Sequence, residues 1–160
     1  MAAEMIRVEG LDQVRAELAR FDAAVQDRAT RAGLRRAADT VADAIEERAP
    51  VRPALPSGTA LPPGALKADF GFTISRRSGV LMAVIQPGKL TRHVARWVEY
   101  GHRMVKGGYL SVKRGKLRGH GKEVGNVPAH PFIRPGFEAS VVPAVNAFAE
   151  GLKSELKRKG

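Results

Sequence analysis

Pro128-Ala-His-Pro-Phe-Ile-Arg-Pro-Gly-Phe137 packs three prolines into eight residues. Each proline fixes its own φ and pushes the preceding residue out of the helical region, so the stretch reads as extended and stiff. Pro135 suits the first turn of a helix, where its missing N–H costs nothing. Phe132, Ile133 and Phe137 are expected as apolar anchors on either side of that start. The stretch therefore reads as a lock that sets a final helix against a body built upstream. Its expected partner is Trp97-Val98-Glu99-Tyr100-Gly101, which holds the chain's single tryptophan and one of its two tyrosines. Glu99, between aromatic neighbours in a partly buried segment, needs a cationic or hydrogen-bonding partner. Arg134 is the candidate. Trp97, Glu99, Tyr100, Phe132, Arg134 and Pro135 are thus read as a structural lock, with an ion pair fixing the fold preferred over a catalytic carboxylate.

Upstream, Met5–Glu9 alternates enough for a short strand, ended by Gly10. Leu11, Val14, Leu18 and Phe21 recur at helical spacing and predict an amphipathic helix of about three turns. Asp22 is placed to cap a longer helix that ends before Pro50. The stripe of that helix is Val25, Ala29, Ala32, Ala38, Val41, Ile45 and Ala49. Gly33, in the middle of that helix, costs it about 1 kcal/mol relative to Ala. Five prolines and two glycines between Pro50 and Gly64 predict an irregular connector, taken over 50–69. Strands over 70–76 and 80–86, joined through Ser78-Gly79, form the clearest hairpin signal. The second strand is apolar on both faces and is expected to be central. A short helix follows over 91–100. The final helix carries Phe137, Val141, Ala144, Phe148, Leu152 and Leu156, with Pro143 expected to kink or restart it. These elements predict an α+β fold in a single domain over 1–160: a small antiparallel sheet packed on one face by the long N-terminal-half helix and the C-terminal helix, with a long basic loop.

The 160 residues suffice for a real core, and a net charge of +11 calls for a polyanion nearby or simply a basic surface. The absence of cysteine excludes disulfides, thiolate metal sites and cysteine nucleophiles, and fits synthesis in a cytoplasm. No apolar run approaches the roughly 18 residues needed to span a bilayer, and Glu4 and Arg7 interrupt any secretory-signal layout. His93, His102, His120 and His130 lack the spacing of a metal site. The cluster of Asp43, Glu46 and Glu47 reads as a solvated helix face. Neither a phosphate-cradling loop nor a nucleophile elbow is present, so no cofactor, metal or catalytic residue is expected.

After Gly101 the composition changes. Residues 102–126 hold seven Lys or Arg, two His and six Gly against one acid, Glu123. Apart from a brief strand at Tyr109–Val112, this segment, taken over 102–127, is expected to be a mobile loop. Arg103, Lys106, Lys113, Arg114, Lys116, Arg118 and Lys122 would either follow a phosphate backbone or meet a protein partner.

Several of these features recur in order in a known family. They are Gly10-Leu11 opening a helix, an Ala-rich helix closing on Arg48-Ala49-Pro50, and Gly64-Ala65-Leu66-Lys67 before a hairpin. Ala95-Arg-Trp-Val-Glu-Tyr-Gly101 follows, then Pro128–Pro135 before a terminal helix. That order resembles the tail-completion and head–tail joining proteins of long-tailed bacteriophages, the minor tail protein Z-like group. Pro63-Gly64 stands where that family usually has Thr-Gly, and His102 where it usually has Thr. The resemblance implies a non-enzymatic structural protein of the virion neck or tail end, made in the host cytoplasm. It would assemble with other neck and tail proteins and with itself, in a ring taken as hexameric around the DNA passage, where the charge of the basic segment could give it non-specific contact with viral DNA. A free basic nucleic-acid-binding protein is the alternative, and a nuclease or toxin the third reading.

Overall fold

The computed structural model describes residues 11–51, 61–107, 110–113 and 116–158. The expected strand at Met5–Glu9 and most of the Pro-rich connector lie outside them. The fold is α+β, with small antiparallel two-stranded sheets and two long helices. In chain order it runs α1 (Leu11–Leu18), α2 (Ala23–Arg48), α3 (Ala65–Ala68), β1 (Phe70–Arg77), β2 (Val80–Pro87), α4 (Arg92–Tyr100), β3 (His102–Lys106), β4 (Leu110–Lys113), β5 (Lys116–Gly119), β6 (Lys122–Val127) and α5 (Ile133–Lys157). Two compact units share these elements: one from residues 1–44, 72–85 and 138–160, the other from 45–71 and 86–137.

In the first unit, Asp22 caps α2, its Oδ1 accepting the Val25 N–H at 2.9 Å. Ala29, Ala38, Val41 and Ala42 bury the apolar stripe. As the spacing predicts, α2 is one helix ending before Pro50, and it runs unbroken through Gly33. The glycine serves a close crossing with α5. A Cβ at Gly33 would lie 2.8 Å from the Phe148 ring and carbonyl oxygen, and one at Gly151 would lie 2.8 Å from the Ala32 carbonyl. Glycine is what lets the two backbones approach. The helix α5 contains Pro143 and does not restart there. Its stripe buries Ala144 and Leu152, whereas Phe137, expected as an anchor, is 53% exposed.

The hairpin turns through Ser78 at φ 50 and Gly79 at φ 81. Two consecutive positive φ values match the right-handed twist of the flanking strands. Among the described residues β2 pairs with β1 alone and is not central, and Val80 and Val84 face solvent. Its apolar outer face had suggested a neighbour that the described strands do not supply.

The second unit holds α3, α4 and the strands β3 to β6. Where a basic loop with one brief strand is expected, the chain forms an arm of paired strands. β3 pairs with β6, and β4 with β5, both antiparallel. In sequence Met104, Val105, Leu110, Val112, Leu117, Val124 and Val127 interleave with the cations, and strand pairing gives the backbone its partners. A register shift between Met104 and Val105 sets Val124 as an extra residue on β6.

Candidate functional site

The helix α4 is fixed at both ends. At its start, buried Thr91 donates through Oγ1 to Asp69 Oδ2 at 2.8 Å, while the Asp69 carbonyl accepts the Gly88 N–H at 2.6 Å. A Cβ at Gly88 would sit on the Asp69 carboxylate. At its end, Gly101 adopts φ 71, where a Cβ would also press the Val127 carbonyl at 2.7 Å. The His130 N–H donates to the Val98 carbonyl at 2.7 Å, drawing the Pro-rich connector along the last turn.

Glu99 makes the decisive contact. Only 7% exposed, its Oε2 accepts the N–H of Phe132 at 2.8 Å and of Ile133 at 2.9 Å, and its Oε1 accepts the N–H of Arg134 at 3.3 Å. These donors belong to the first turn of α5, where backbone N–H groups have no partner within the helix. A carboxylate there meets both the free donors and the positive end of the helix dipole. Phe132, 2% exposed, fills the space beside it, its ring edge-on to Phe70 at 5.8 Å.

The lock therefore differs from its expected form. The partner of Glu99 is the backbone of residues 132–134, not the Arg134 guanidinium, and Arg134 and Pro135 lie exposed. Trp97 and Tyr100 are not buried in it either, being 46% and 72% exposed. One side of α4, with Ala95 and Glu99, faces inward, and the aromatics belong to the other.

That other side is a shallow concavity of about 980 Å³, lined by Lys89, Arg92, His93, Arg96, Trp97, Tyr100 and Gly101. The lining carries three permanent cations and no carboxylate. The Trp97 ring stacks on His102 at 5.1 Å and 28°, and meets His93 at 5.0 Å and 82°. Nδ1 of His102 is buried without a hydrogen-bond partner. Sequence reasoning missed this surface, although Arg92 and Arg96 stand four residues apart, one helical turn, and Trp97 and Tyr100 three apart.

The arm begins directly after Gly101. Arg103, Lys106 and Lys122 are exposed, with Arg103 paired to Glu123 at 3.3 Å. Lys113 lies in β4, Lys116 and Arg118 lie in β5, and Arg114 is outside the described residues. The register sets Lys106 opposite Lys122 and Lys113 opposite Lys116. Like charges directly across an antiparallel pair oppose its formation in water.

An apolar cavity of about 340 Å³, lined in part by Leu61, Leu66, Val94, Val98 and His130, offers no paired acid and base. Among the described residues, no group of three His, Asp or Glu is placed to hold a metal ion, and no helix is long and apolar enough to cross a membrane. No protein family, curated protein or solved structure matches the chain.

Proposed function

We propose that this chain is a structural subunit of the neck or tail end of a long-tailed bacteriophage, joining or completing the head–tail junction as part of a ring around the DNA passage. One observation carries the reading. The two late motifs on which the family resemblance rests, 95–101 and 128–135, are the two halves of a single joint through Glu99. A glutamate that must be buried against one particular helix start accounts for why both motifs occur together, more than thirty residues apart.

A ring subunit needs two different faces that match, because closed rings with head-to-tail contacts use heterologous surfaces. The exposed side of α4 and the basic arm are available as such faces, and the hexameric count rests on the resemblance alone. The reading assigns no turnover, no cofactor and a place in the virion, with other neck and tail proteins as partners. The like-charged pairs of the arm favour the second reading, a free nucleic-acid-binding protein, because a polyanion would relieve them.

Deletion from the phage genome separates the two. On the neck reading, heads fill with DNA and tails assemble, but electron micrographs show them unjoined or joined in particles that do not infect. Normal infectious particles from the deletion would end the neck assignment and leave the nucleic-acid-binding alternative.

A further inference from the structure

We propose that the exposed side of α4 is a binding site for single-stranded nucleic acid, with Lys89, Arg92 and Arg96 on phosphates and Tyr100 stacking against a base beside the Trp97–His102 pair. The inference holds whether or not the chain sits in a virion.

Three observations lead to it. First, the concavity gathers three permanent cations with no carboxylate among its lining residues. A surface of that kind repels itself until an anion occupies it. Second, the cations are interleaved with a Tyr ring that is 72% exposed, beside a Trp ring that is 46% exposed and stacked on His102. Aromatic platforms between backbone-binding cations are how proteins hold unpaired bases, since every base offers a π-face. Paired bases in a duplex present no such face, which selects the single strand.

Third, the charge does not stop at the concavity. Residues 89–122 contain ten Lys or Arg and one acid, Glu99, whose carboxylate is spent on the α5 backbone. Glu123, just beyond, is paired with Arg103. The arm continues from the end of α4 with lysines facing lysines in register. An acidic patch on a protein would neutralise a few of these positions. A strand with one anion per nucleotide matches a run of this length.

Trp97 is the chain's only tryptophan, so intrinsic fluorescence reports from within the concavity. The free full chain is titrated with an oligothymidylate of about ten nucleotides, within the site sizes such surfaces cover. Saturable quenching is expected. Each phosphate contact adds roughly 0.7 to the log–log salt slope, so Lys89, Arg92 and Arg96 together contribute roughly −2 and any contact with the arm steepens it further. Replacing both arginines (Arg92→Ala with Arg96→Ala) should flatten the slope by about 1.4 and weaken binding at least tenfold. Tyr100→Ala should weaken binding by roughly 5- to 100-fold and leave the slope unchanged. All three side chains are exposed, so an unchanged Tm certifies that each variant is folded.

Four results would overturn the proposal. One is no quenching at low salt. Another is equal binding of a duplex of the same length, with Tyr100→Ala silent, which would mean backbone contact without stacking. A third is a steep salt slope that the arginine variants leave untouched, placing the binding on the arm alone. The last is displacement of the oligonucleotide by polyglutamate at equal charge concentration, which would make the surface a dock for an acidic protein.

Discussion

Each unit of the molecule contains one joint made by a terminal helix, and the two are built on opposite principles. In the first unit α2 and α5 cross where Gly33 meets Phe148 and Gly151 meets Ala32, and the joint consists of missing side chains. In the second unit the start of α5 is held by one buried carboxylate that reaches three backbone donors. The first joint leaves no room for added volume without a shift of the helices. The second tolerates changes around it, provided that one acceptor stays. A single helix can thus be held sterically along its body and electrostatically at its tip.

Breaking the polar joint should have the larger effect. Glu99→Ala would leave the buried Phe132 N–H and its neighbour without an acceptor, each worth about 1–3 kcal/mol, and would remove a helix cap as well. A loss of roughly 2–4 kcal/mol is expected, read as a fall in Tm of about 5–15 °C. Arg134→Ala should change Tm by no more than a degree or two, because Glu99 takes only its backbone N–H. If instead Arg134→Ala were as damaging as Glu99→Ala, the guanidinium would be part of the joint after all, and the capping account would fail.

The steric joint makes a prediction of opposite sign to helix propensity. Gly→Ala inside an exposed helix adds about 1 kcal/mol of stability. Gly33→Ala should do the reverse, because the new methyl would meet the Phe148 carbonyl, which moves only if the helices separate. Overpacking of this kind costs about 1–3 kcal/mol. Adding Gly151→Ala should then cost less than it does alone, since the separation has already been made. A stabilised Gly33→Ala, or strict additivity of the two, would show that the crossing is looser than its distances imply.

What was legible in the sequence follows from how far apart the interacting groups are. The Asp22 cap and the Ser78-Gly79 turn are local devices, each complete within four residues, and both were readable. That Glu99 needed a partner was also readable, because burial of a carboxylate demands one. Which partner was not, since caps usually come from the residue just before the helix and this one lies 33 residues upstream of Phe132. The role of Gly33 is not readable for a related reason: propensity describes one residue, whereas its role depends on Phe148. The arm was misread because composition counts charges and glycines, while pairing depends on the register of four short strands. The open side of α4 was written in the spacing of Arg92, Arg96, Trp97 and Tyr100. It was obscured by assigning both aromatics to the buried lock.

The smallest effect concerns a polar tie within the sterically jointed unit. Asp27 on α2 accepts from Arg31 Nε at 2.7 Å and also contacts Arg76 near the hairpin turn. The hydrogen bond from Arg31, with the positive charges of Arg31 and Arg76, holds its carboxyl below the ordinary value of 3.8 despite some desolvation. A carboxyl whose folded pKa is depressed contributes stability that is fully present above its unfolded pKa and lost as the pH falls through its folded pKa. Acidification below about pH 4 should therefore erode a small advantage of the wild type over Asp27→Asn, and the two melting curves should converge. Arg76→Ala should remove part of that pH-dependent difference, and added salt should shrink it, because the groups are solvated. An Asp27→Asn difference that stayed constant from about pH 6 to about pH 2.5 would mean that the tie acts through its hydrogen bonds alone and not through its charge.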